Sequence, residues 1–84
     1  MKHSITILPL ADHYVVVAKD KSTGETKQVF NLNESGAEML SLFNEGHDAE
    51  SVAGILADRY GIDTAIVMND VNVFAGNLTN WGLL

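Results

Sequence analysis

The 84-residue chain carries a formal net charge of −6, no cysteine and 46% apolar residues. A chain of this length makes one domain, which buries only about 60–65% of the surface it exposes when unfolded. Lacking cysteine, its core has no disulfide or thiolate metal site to support it, and no run of about 18 apolar residues spans a membrane.

Two β-branched, apolar runs of strand length come first, SITILPLA (4–11) and HYVVVAKD (13–20). Pro9 lacks an N–H, so the first strand is expected at a sheet edge or to end early. KSTGET (21–26) supplies turn residues around Gly24. KQVFNL (27–32) then alternates, with Gln28, Phe30 and Leu32 on one face and Lys27, Val29 and Asn31 on the other. The expectation is a three-stranded meander.

From Asn33 the period becomes helical. Asn33 caps a first helix with Gly36, Met39, Leu40 and Phe43 as its apolar positions. Asp48 caps a second, with Val52, Ile55, Leu56 and Tyr60 on one side. Asp63 caps a third, in which Val67, Val71, Phe74, Leu78 and Trp81 recur at spacings of four and three. Gly46, Gly61 and Gly82 each follow an apolar-periodic run, where a left-handed cap is expected. The remaining helical glycines, Gly36, Gly54 and Gly76, read as places of close helix–helix approach. The fold class is α+β, β-β-β-α-α-α. The short GID turn between the last two helices makes it winged helix-turn-helix-like. Residues 1–84 form one domain, with residues 1–32 as meander and wing and residues 33–84 as a three-helix bundle.

Charge is unevenly spread. Residues 1–27 hold four Lys against Asp12, Asp20 and Glu25, a net of +1; residues 28–84 hold Arg59 against eight carboxylates, a net of −7. Nucleic-acid binding needs clustered cations, so the second half argues against DNA. Nor does the chain carry a catalytic or cofactor signature: His3, His13 and His47 have no ligand spacing, and no nucleophile elbow or phosphate loop occurs. Asp48, Glu50 and Asp63 complement helix N-termini. NES and NLT match a glycosylation pattern, but no secretion signal precedes them and a cytoplasmic location is expected. These residues point away from an enzyme, with no cofactor and no metal.

Two features leave alternatives open. Ile66, Asp70, Val73 and Asn77 form a second stripe on the third helix, either a boundary row or one wall of a groove. In a meander, one long side of KQVFN has no partner, which makes it either a tolerated edge or a docking edge.

The order of LNESGAEMLSLFNEGHDAESVAGILADRYGI and NDVNVFAGNLTNWGLL resembles the PqqD-like family. It runs through Leu32-Asn33, a small-residue helix start, Glu45-Gly46, a second helix ending at Tyr60, Asp70-Val71, Leu78 and a closing Gly82-Leu83. That family comprises recognition elements for the precursors of ribosomally made, modified peptides. The resemblance spans residues 28–84 by motif and the first strands by pattern. Position 40 is Leu where the family often has a larger aromatic, and Asn69-Asp70 sits in an unusually Asn-rich helix.

The resemblance implies a non-catalytic peptide chaperone. It would bind the leader segment of a precursor peptide as an added strand on the third strand, beside the third helix. It would then present the peptide to a modifying enzyme, a radical SAM enzyme in the namesake case. Lys27, Gln28, Val29, Phe30 and Asn31 would accept the strand, Ile66 and Val73 would join Val29 as apolar contacts, and Asp70 and Asn77 would join Asn31 as polar ones. The same edge suits a homodimer or adaptor as an alternative, and a winged-helix nucleic-acid binder is the remaining one.

Overall fold

The computed structural model describes residues 1–84. Three strands, β1 (Ser4–Leu10), β2 (His13–Lys19) and β3 (Thr26–Leu32), precede three helices, α1 (Glu34–Asn44), α2 (Ala49–Tyr60) and α3 (Thr64–Asn80). The sheet is antiparallel in the order β1-β2-β3, as the meander requires. Ile7, Val16 and Phe30 form one cross-strand row, and Thr6, Val17 and Val29 the next, on opposite faces. Val16 and Ala18 are fully buried under the helices, whereas Val29 is 61% exposed. Between Ala18–Gln28 and Lys19–Thr26 the register slips by one residue, leaving Lys27 as a bulge at the start of β3.

Val52 and Leu56 of α2, Val71 and Leu78 of α3, Leu40 and Phe43 of α1, and Leu83 close the core against Val16 and Ala18. Met39 and Ile55 lie partly buried at its border. Tyr60 departs from the sequence reading: it is 57% exposed, and its hydroxyl donates to Glu38 Oε2 at 2.6 Å. It ends α2, where the chain already turns away at Gly61.

Each helix begins on its expected cap. Asn33 Oδ1 accepts the Gly36 N–H at 2.9 Å, Asp48 Oδ1 accepts that of Ser51 at 2.8 Å, and Asp63 Oδ1 accepts that of Ala65 at 2.8 Å. The bond from Ser51 holds the Asp48 carboxyl below the usual carboxylate range. Because the folded value is the lower one, this cap contributes stability above the unfolded value. That contribution is lost as pH falls through the folded value.

The helices also end where glycine permits a left-handed backbone. At Gly82 φ is 76°, and the chain doubles back so that the Leu83 N–H reaches the Leu78 carbonyl at 2.9 Å and the Leu83 side chain becomes fully buried.

Close helix approach does not explain the other helical glycines. A Cβ at Gly54 or Gly76 would meet nothing within 4 Å, so these positions face open space. Gly36 is tight, but against its own junction: a Cβ there would lie 3.1 Å from Asn33 Oδ1 and 3.3 Å from Leu32 Cδ2. Leu32, Asn33 and Gly36 thus lock the end of β3 onto the start of α1 without a loop. Asn33→Ala is expected to remove one cap, a loss of about 1 kcal/mol. It should lower the melting temperature by about 4–8 °C in a domain of this size, and thermal unfolding followed by circular dichroism measures it.

Candidate functional site

The sheet ends at β3, and no other segment of the chain pairs with its outer edge. What sets this edge apart from that of β1 is the bank beside it. The Gln28 amide donates to the Trp81 carbonyl, tying the first half of β3 to the end of α3. The Trp81 ring lies 5.0 Å from Phe30, tilted by 48°, and 6.5 Å edge-on from Phe74. Such arrangements are favourable beyond the area they bury. One aromatic side chain therefore bridges sheet and helix.

Two shallow grooves meet at Trp81. Lys27, Gln28, Val29, Phe30 and Asn31 line the first, along the β3 edge. The second runs between α1 and α3, with Leu32, Met39, Val73 and Phe74 as its apolar lining and Asp70 and Asn77 on its α3 side. At its other end the Leu32–Asn33–Gly36 junction closes it. Gln28 and Trp81 thus tie β3 to the end of α3, and the junction fixes β3 against α1.

Of the nine residues singled out from the sequence, Lys27, Gln28, Val29, Phe30 and Asn31 fall in the β3 groove, and Asp70, Val73 and Asn77 in the adjoining one. Ile66 lines neither; it is 62% exposed on α3. The stripe of Asp70, Val73 and Asn77 is exposed, a groove wall and not a half-buried boundary row. Trp81, Met39 and Phe74 are lining residues that the pattern of apolar positions assigned to the core alone. The signal for Trp81 was available: it comes one residue before the Gly82 cap, where the helix has ended and the side chain is freed toward β3.

The electrostatics are one-sided. Residues 64–80 hold no Lys or Arg. Arg59 is committed to Glu38, which also takes the Tyr60 hydroxyl; these bonds raise the pKa of both Arg59 and Tyr60. Lys27 sits 3.5 Å from Glu25 at the far end of β3. No three of the His, Asp and Glu side chains gather where they would hold a metal ion. No helix is long and apolar enough to cross a membrane. What the arrangement offers is an open backbone edge with a partly apolar, acidic trough beside it.

A family model for coenzyme PQQ synthesis protein D, PqqD, matches residues 14–84. Among solved structures, TbiB1 in complex with the TbiA(beta) leader peptide superposes with a TM-score of 0.70 at 28% identity, covering 100% of this chain and 94% of that one. No curated protein matches the sequence.

Proposed function

The chain belongs to the PqqD family, and from that premise we propose that it binds the leader of a ribosomally made precursor peptide without itself catalysing a reaction. The observation that carries this reading is the unpaired β3 edge, tied to the end of α3 through Gln28, Phe30 and Trp81. The likeness to TbiB1, solved with a leader peptide, supports it.

Strand addition lets backbone bonds supply attraction while alternate side chains select sequence. Each bond nets about 1 kcal/mol, whereas ordering one leader residue costs about 1–2 kcal/mol. Pairing alone does not suffice, and side chains entering the trough must make up the difference. The peptide so held would be presented to a modifying enzyme, which the family likeness suggests is a radical SAM enzyme in at least the namesake case. Nucleic acid is disfavoured, because a recognition helix at α3 would approach phosphates with one carboxylate and no cation.

The test uses the leader encoded by a short reading frame beside this gene. On titration, amide resonances of residues 27–32 and 66–77 are expected to move. Shifts confined to α1 and α2 would overturn the reading. Self-pairing of β3 into a homodimer is the competing use of the same edge, and a strict monomer by light scattering at high concentration removes it.

A further inference from the structure

Past the end of β3 the trough continues between α1 and α3 into another apolar depression, which strand pairing leaves without a task. Met39, Leu56, Tyr60, Ile62 and Val67 line it, together with Glu38, whose carboxylate is already taken up by Arg59 and the Tyr60 hydroxyl; Ile62 is 46% exposed. Ser35, Met39 and Asp70 line both this depression and the one beside Trp81, so the two are continuous there. Asp70 therefore stands between two apolar subsites. It forms no ion pair within the chain, and Arg59, the one Lys or Arg in residues 28–84, is already held by Glu38.

Resting on the leader-binding reading, we propose that this continuous trough selects a leader with the pattern apolar-x-Lys/Arg-x-apolar, placed just beyond the strand-paired segment. Along α3, Asp70 lies about 4.5 Å from Val67 and about 6 Å from Phe74 at 1.5 Å per residue. An extended chain sends every second side chain to the same face, about 6.6 Å apart. Three alternate residues, about 13 Å from first to last, thus cover the roughly 10.5 Å between Val67 and Phe74 and leave the middle one near Asp70. A Lys or Arg stem lies on apolar surface while its charged end meets Asp70. The pair is exposed, so its part is discrimination and encounter more than bulk affinity. An acidic or neutral residue at the middle position meets an uncompensated carboxylate or none of its benefit.

Panning a phage-displayed random dodecapeptide library on the wild-type protein and on Asp70→Asn tests this. The wild type is expected to enrich apolar-x-Lys/Arg-x-apolar, and Asp70→Asn to keep the flanking apolar residues and lose the cation. A synthetic peptide from the wild-type selection should bind Asp70→Asn about fivefold more weakly. Asp70→Glu should restore binding, and high salt should erase the difference. Ile62→Ser should lose the preference for one of the two apolar residues. Enriched peptides lacking the cation, yet moving the amides of residues 27–32, would overturn this specificity and leave strand addition standing. Failure to enrich any peptide, or enriched peptides that leave residues 27–32 unmoved, would overturn both.

Discussion

Leu78→Ala is expected to destabilise the domain by about 2–5 kcal/mol. The side chain is fully buried in the core cluster that also holds Val71, Phe74 and Leu83, and truncation leaves a cavity that well-packed neighbours fill only in part. So small a core supplies a net stability of only about 5 kcal/mol or somewhat more. The variant should therefore lie near the folding threshold, and urea unfolding measures the loss. The Leu78 carbonyl also accepts the Leu83 N–H in the turn that carries Trp81. Loosening there should broaden the Trp81 signals before the strands melt. Asn77→Ala, one residue away and exposed, serves as the control and should change stability little. A loss below about 1 kcal/mol at Leu78 would mean that α3 does not close the core as described.

The backbone path of this chain was largely legible in its sequence because each boundary carries its own local chemistry. Alternation in KQVFNL separates Phe30 from Val29, and their burial differs accordingly. Asn33, Asp48 and Asp63 each bring a side-chain oxygen to a helix start that lacks backbone partners. The positive φ at Gly46, Gly61 and Gly82 answers a steric demand that other residues meet poorly. These are short-range effects, and short-range patterns report them.

Where periodicity went astray, the deciding fact was one of distance. Helical spacing gives the angle of a residue around an axis, not how far its neighbours extend along it. Tyr60 shares an angle with Val52 and Leu56 but sits at the end of α2, beyond the packed region, so it turns outward to Glu38. Trp81 shares an angle with Leu78 but lies past the end of α3, so it spans to Phe30 instead of entering the core. Gly54 and Gly76 lie on open helix faces, where the absence of a side chain meets no neighbour at all; no physical account of their identity follows from the packing. The candidate site depends on this tertiary arrangement: β3 and α3 are separated by two helices in sequence, and only the folded chain brings Gln28 to Trp81.

That tie between Gln28 and Trp81 gives the edge strand a fixed neighbour, and a leader strand added there as proposed would have to fit both. Val29→Pro is accordingly expected to weaken leader binding about 30-fold or more while the helices stay folded. Proline removes a backbone donor from the middle of β3, a loss of about 1 kcal/mol. Its ring also occupies space at the strand, so a leader carbonyl aimed there is left unpaired at a further cost of about 1–3 kcal/mol if buried. Val29→Ala keeps the backbone and trims only an exposed side chain, so it should lose much less. Fluorescence anisotropy with a labelled leader gives the affinities, and circular dichroism reports whether α1, α2 and α3 persist. If Val29→Pro bound as tightly as the wild type, the foreign backbone would have to lie somewhere other than the border of the sheet next to Trp81. If affinity and helix content fell together, the donor at residue 29 would serve β2, and the visiting chain would pair with β3 through the alternate residues.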